Sequence, residues 1–203
     1  MNIYDYTDNT PLQCTHCGWQ GTKKEADNIP YNQFLDVRCP RVECDWPILK
    51  IPYPTAEETR LAAEAGNEWA KIDHALNLLA EQFNRDWDRT IALVKAKILG
   101  HRKGLPDVPA YEHSIRVGEL IRGTEGVTPD VALAALLHDI VEDGGVSLGE
   151  LKVLGYTDET VRLVDLCSHD MSIKDSDTRW VCMVARLAKA GDPAAWAIKV
   201  ADI

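Results

Sequence analysis

From residue 55 onward, apolar side chains recur every three or four positions between short clusters of Gly, Pro, Asp and Thr. The stretches 65–83, 88–100, 110–122, 129–142, 148–154, 158–168, 177–190 and 193–202 share this period, which is that of helices burying one face. Thr55 followed by Glu57 and Glu58 reads as a helix start, with acids in the first turn where the helix dipole favours them. Before residue 54 the pattern is different. Residues 10–53 are rich in Cys, Pro, Asn and Trp, and only Phe34-Leu35-Asp36-Val37-Arg38 and Ile48-Leu49-Lys50-Ile51 read as short strands. The fold expected is mainly α: a small β module over 1–53, a helical linker region over 54–87 and an all-helical domain over 88–203. No fixed-period repeat and no low-complexity tract argues for a solenoid or a disordered tail.

A segment like 10–53 cannot build a large core, and its cysteines suggest what replaces one. Cys14 and Cys17 form C-x2-C, and Cys39 and Cys44 form C-x4-C, spacings that suit two thiolate hairpins closing on one tetrahedral zinc. Zinc binding would then contribute folding free energy directly. Gly18 permits the tight turn of a metal knuckle, and His16 reads as an exposed knuckle residue rather than a ligand. Cys167 and Cys182 lie in apolar, helix-like surroundings and are expected in the core.

Composition narrows the function. With 203 residues and 45% hydrophobic content the chain can bury a real core, while a formal net charge of −10 argues against nucleic acid as its main ligand. There is no apolar run of membrane-spanning length, and the polar start MNIYDYTDNT lacks the parts of a signal peptide. The expectation is a cytoplasmic protein with no membrane association. Nothing in the ribbon-like segment names its partner.

Against that background, Ala135-Leu136-Leu137-His138-Asp139-Ile140-Val141-Glu142-Asp143-Gly144-Gly145 places four ionisable groups in an apolar stretch. On a helix, with His138 at zero, Glu142 falls at about 40°, Asp139 at about 100° and Asp143 at about 140°, and the apolar residues fill the other arc. Taken alone, that face fits a solvated edge, the ordinary reading of an amphipathic helix, better than a chemical site. Two further residues bear on the choice: His113 in Tyr111-Glu112-His113-Ser114, and Asp202 ending the apolar Ala197-Ile198-Lys199-Val200-Ala201. Imidazole nitrogens and carboxylate oxygens together suit one divalent cation. Gly144-Gly145 reads as the helix end.

The order H…HD…D, with "HRKG" at 101–104, "PAYEHSIRV" at 109–117, "AALLHDIVEDGGVSLGEL" at 134–151, "VRLVDL" at 161–166 and "IKVAD" at 198–202, resembles the HD-domain metal-dependent phosphohydrolases. More narrowly, it resembles the hydrolase domain of RelA/SpoT-type proteins and their small stand-alone relatives, which remove the 3′-pyrophosphate of ppGpp and pppGpp. The resemblance implies that His113, His138, Asp139 and Asp202 hold one divalent metal, manganese by preference. It also implies that Glu142 and Asp143 position and deprotonate the attacking water, and that a phosphorylated guanosine nucleotide is the substrate. Arg102 and Lys103 match the family's nucleotide contacts, and Lys97 and His101 extend the same cationic patch. Family members continue with further helical residues beyond the position of Asp202, and no segment resembles an alarmone synthetase. Two alternatives stand beside this reading: an HD phosphohydrolase of another nucleotide, and a non-catalytic nucleotide-sensing module. His169-Asp170 is a second His-Asp pair, expected in a loop near the pocket and not as a ligand. His74 is expected on a helix surface.

Overall fold

The computed structural model describes residues 1–102 and 104–203. The chain divides into two compact units, Met1–Glu81 and Gln82–Ile203.

In the first unit, β1 (Pro11–Gln13) pairs antiparallel with β2 (Gln20–Thr22). β3 (Asp27–Pro30), β4 (Phe34–Arg38) and β5 (Pro47–Pro52) form a three-stranded antiparallel sheet in that order. The strand expected over 34–38 is β4, and that over 48–51 lies within β5. Tyr6, Leu12, Val37 and Ile51 are the buried apolar residues here, a core of four side chains. The buried Asp36 accepts from Arg38 Nε at 2.9 Å, and the same guanidinium donates to Asp45 Oδ2 at 2.8 Å, tying β4 to the turn before β5.

α1 (Ala56–Glu64) opens with a capping box: the Thr55 side chain accepts from Glu58 N–H, and the Glu58 carboxylate accepts from Thr55 N–H. It stops at Gly66, whose φ of +97° no side-chain-bearing residue adopts without strain. Asn67 then restarts the chain, its Oδ1 accepting from Ala70 N–H at 3.0 Å. α2 runs from Glu68 to Lys97 without interruption. This corrects the sequence expectation, which began a helix at 65 and broke it between 83 and 88. The polar run Asn84-Arg85-Asp86 only turns its residues outward, and contains no helix breaker.

In the second unit, α2 is followed by a hairpin of β6 (His101–Arg102) and β7 (Leu105–Pro109), then α3 (Tyr111–Arg122), α4 (Pro129–Leu137), α5 (Leu148–Val153), α6 (Asp158–Cys167), α7 (Ser176–Ala190) and α8 (Pro193–Asp202). The hairpin was not anticipated, because HRKGLPDVP has neither alternation nor β-branched content over a useful length. Lys103, singled out from the sequence, lies outside the described residues. α4 is central: Ala132 through Leu137 are all buried, and α3, α6 and α8 pack on it. No helix among the described residues is long and apolar enough to cross a membrane.

Two further expectations are corrected. The helix predicted over 129–142 ends at Leu137, and residues 138–143 continue as tight turns, with Ile140 N–H bonding Leu137 O at 2.9 Å. His138 keeps helical backbone angles, yet it is fully buried rather than on a solvated polar face. Gly145, with φ of +63°, follows that turn. Cys167 is buried as expected, but Cys182 is exposed. The inward residues of α7 are Met183 and Leu187, one turn apart, and Cys182 lies about 120° from that line on the helical wheel.

α3 and α4 approach closely at Gly118, where an added Cβ would lie 2.5 Å from Leu136 Cδ2 and 3.2 Å from Trp87. Gly118→Ala is expected to lower stability by about 1–3 kcal/mol through overpacking, read as a fall in the urea midpoint without a change in slope.

Candidate metal centres

Three helices meet at one point in the second unit. α3 supplies His113 from its first turn, the end of α4 supplies His138 and Asp139, and the last turn of α8 supplies Asp202. One ligand atom from each lies within 4.8 Å of all the others. His113 Nε2 is 2.7 Å from Asp202 Oδ1, and His138 Nε2 is 3.1 Å from Asp139 Oδ2 and 3.2 Å from Asp202 Oδ1. The structure thus brings together residues separated by 89 positions in the chain.

The His138 ring is oriented from behind. Its Nδ1 donates to the Ala135 carbonyl at 2.8 Å, so the Nε2 lone pair faces the two carboxylates. Nε2 is buried and has no hydrogen-bond partner of acceptable geometry among the described residues. A neutral imidazole nitrogen aimed at two carboxylates is poorly satisfied by protein alone, and a two-nitrogen, two-oxygen donor set is what a divalent cation takes. These residues fit a metal. Without a cation, burial opposes charge on His138, yet Asp139 and Asp202 outweigh it and push the imidazole up to about 10. Burial also works against ionising Asp202, but His113, His138 and Lys199 hold its carboxyl well below the usual range.

Other groups surround the four. Lys199 Nζ donates to Asp202 Oδ2 at 2.6 Å, which leaves Oδ1 turned to the histidines. Glu142 has both oxygens engaged, Oε1 by His169 N–H at 2.7 Å and Oε2 by His169 Nδ1 at 2.8 Å. Asp143 is exposed, and burial, followed by the charges of Asp139 and Glu142, raises its pKa. His169 is outside the four-residue cluster and belongs to the loop after α6, where Asp170 Oδ1 accepts from Ser172 N–H. His101 and Arg102 sit in the hairpin leading into α3. Lys97 ends α2 with its Cβ beside Gly144, and its side chain is exposed.

Sequence reasoning passed over two of these contacts. Lys199 was detectable in principle, since it lies one helical turn before Asp202. The bond between His169 and Glu142 has no local signal, because 27 residues separate the partners.

The first unit holds the second cluster. Cys14 and Cys17 lie in the turn between β1 and β2, and Cys39 and Cys44 in the turn between β4 and β5. The two turns repeat each other: Cys14 N–H bonds Trp19 O at 2.8 Å and Cys39 N–H bonds Trp46 O at 3.0 Å. The residue after each second cysteine has positive φ, Gly18 at +73° and Asp45 at +40°. All four thiols are free. Cys14 Sγ lies 3.7 Å from Cys44 Sγ, and Cys17 Sγ 3.6 Å from Cys39 Sγ. A tetrahedral zinc with Zn–S bonds of about 2.3 Å places its sulfurs about 3.8 Å apart, whereas disulfide sulfurs are separated by about 2.05 Å. The backbone N–H of Trp19 brings the Cys17 thiol down to about 7, toward the thiolate a metal needs. His16 is exposed and stacks on Trp46, ring centroids 4.8 Å apart.

No family model and no curated protein matches the chain. Among solved structures, the chain is similar to one described as a metazoan ortholog of SpoT that hydrolyzes ppGpp and plays a role in starvation responses. The two are 27% identical with a TM-score of 0.52, and the match covers 58% of this chain. It covers 65% of that protein, just under two thirds of its length. The chain is thus similar in fold to a SpoT-type hydrolase, a mainly helical HD-type architecture joined here to a small cysteine-bearing β module.

Proposed function

We propose that the protein is a metal-dependent phosphohydrolase that removes the 3′-pyrophosphate of ppGpp and pppGpp in the cytoplasm. The observation that carries this reading is the convergence of His113, His138, Asp139 and Asp202, with His138 Nε2 buried and facing two carboxylates without a hydrogen bond of acceptable geometry. The likeness to a SpoT ortholog supports the substrate class. When bound at these four residues, a divalent cation, manganese in this reading, makes water more acidic and offsets charge on the phosphoryl oxygens.

The chain's own groups do the rest. Ala135 O holds His138 in the tautomer that presents Nε2, and Lys199 turns Asp202 Oδ1 inward. Asp143 is the carboxylate that accepts the proton of the attacking water: it is exposed beside the cluster, and its raised pKa makes it a better base. Glu142 has both oxygens occupied by His169, so it anchors the loop after α6 at the edge of the site and orients the water handled by Asp143. Arg102, with Lys103, Lys97 and His101, provides the positive charge an acidic protein needs to receive a polyphosphate, the arginine by paired hydrogen bonds and the lysines as point charges. In the first unit, one zinc held by Cys14, Cys17, Cys39 and Cys44 replaces the hydrophobic core that the module lacks.

Incubation with manganese and ppGpp is expected to release pyrophosphate, with GTP and deoxynucleoside triphosphates turned over far more slowly. Asp143→Asn should lower kcat by about 10²–10⁴-fold with manganese affinity retained. Faster turnover of GTP or a deoxynucleotide would transfer the assignment to that substrate. No turnover of any of them, with Asp139→Ala indistinguishable from the parent, would overturn the hydrolase reading.

Metal analysis of the purified protein should find about one zinc per chain. Cys39→Ser is expected to lose it and to unfold the β module, read by metal content and by proteolysis of residues 1–53. Unchanged zinc and protection in that variant would remove the ribbon assignment.

A further inference from the structure

His169 is fastened to Glu142 twice, and neither bond is needed to hold a metal. Its backbone N–H donates to Glu142 Oε1 at 2.7 Å, and its ring Nδ1 lies 2.8 Å from Glu142 Oε2. An ionised carboxylate only accepts, so Nδ1 carries a proton and Nε2 is the free nitrogen of the ring. Nε2 has no hydrogen-bond partner among the described residues and is not enclosed, in contrast to Nε2 of His138. A carboxylate holding one imidazole nitrogen, with the other left open, is the arrangement that makes histidine a proton carrier.

This pair borders the metal-binding residues. Glu142 lies in the turn that begins with His138 and Asp139, and Asp143 N–H closes that turn on Asp139 O at 2.9 Å. The charges of Asp139 and Glu142 both act on Asp143. Ser168, one residue before His169, is buried with its Oγ 3.5 Å from the His138 carbonyl. From α7, Arg186 donates to the Ser168 and Asp165 carbonyls and holds the start of the loop. His169 is thus fixed at the rim of the site with one nitrogen open.

On the hydrolase reading, we propose that His169 is the acid of the reaction, donating its Nε2 proton to the 3′ oxygen as that oxygen leaves. Removing a 3′-pyrophosphate expels a ribose alkoxide, a strongly basic group that needs a proton as its bond breaks. The other candidates are committed. Asp143 must be ionised to take a proton from water, Glu142 has both oxygens bound, and Lys199 is engaged by Asp202. His113 and His138 belong to the ligand set, and the exposed His101 has no carboxylate fixing its ring among the described residues. In the step, the water oxygen bonds to the 3′ phosphorus while the bond from phosphorus to the 3′ oxygen breaks. One water proton passes to Asp143, and the Nε2 proton of the imidazolium passes to the 3′ oxygen. Pyrophosphate and a 3′ hydroxyl result, and Asp143 then loses a proton to solvent while His169 regains one. Glu142 stays ionised and stabilises the imidazolium it faces.

The manganese-loaded protein is assayed on ppGpp and on its analogue with sulfur in place of the bridging 3′ oxygen, whose thiolate leaves without a proton. His169→Asn keeps a nitrogen donor near the place of Nδ1 and deletes Nε2. It is expected to lower kcat on ppGpp about 10²–10⁴-fold and to stay within about twofold of the parent on the analogue, with circular dichroism and manganese content unchanged. His169→Gln, which also lacks an acid, should behave alike and is read if the asparagine variant fails to fold. An unchanged rate on ppGpp, or an equal loss on both substrates in a folded variant, overturns the proposal. A parent that turns over neither substrate, with Asp139→Ala indistinguishable from it, removes the hydrolase reading and this assignment together. Independently of turnover, nitrogen NMR of the full-length protein is expected to find the neutral His169 ring protonated on Nδ1. A neutral ring protonated on Nε2 overturns the pairing with Glu142 on which the proposal stands.

Discussion

The second unit is organised around a buried imidazole whose Nε2 points at two carboxylates. Placing His138 out of water is tolerable only because Ala135 O satisfies Nδ1 and because Asp139 and Asp202 face the other nitrogen. That arrangement requires α3, α4 and α8 to meet at one point. It explains why α4 is short, apolar on every side and ended at Leu137. Asp139 follows His138 directly, and its Oδ2 comes within 3.1 Å of the imidazole Nε2. Gly118 lets α3 pack closely on α4, the helix pair that brings His113 to His138.

The first unit meets a different constraint. Four buried apolar side chains cannot offset the entropy of ordering a strand-rich segment of this length. Two turns with the same hydrogen bond, the same positive-φ residue and sulfurs at zinc-like separations supply the missing cohesion. In both units, then, polar or ionisable side chains are packed where apolar ones would be simpler, in donor sets that fit a cation.

Glu142 and Asp143 are held in different surroundings. The sequence pairs them as equals, adjacent and alike in chemistry. In the folded chain Glu142 is fastened through both oxygens to His169, while Asp143 is exposed, with its pKa raised by partial burial and by neighbouring acids. The loop carrying His169 is thereby coupled to the site even though His169 belongs to neither metal cluster.

The helical period, the capping residue Thr55, the two strands 34–38 and 48–51, and the members of both candidate metal-binding groups were legible without coordinates, because each depends on local spacing or residue type. The order H…HD…D and the paired cysteines are patterns of that kind. The tertiary structure decided what spacing cannot express. It joined two predicted helices into α2, since a polar run without Gly or Pro does not stop a helix. It ended α4 at Leu137, since a short buried helix answers to its neighbours more than to its own period. It exposed Cys182 and bonded His169 to Glu142, contacts set by how helices pack. Local sequence determines the backbone's preferences and the inventory of donors. Which donors face one another is settled only when distant helices bury their faces together, because that energy is shared across the whole unit and belongs to no single segment.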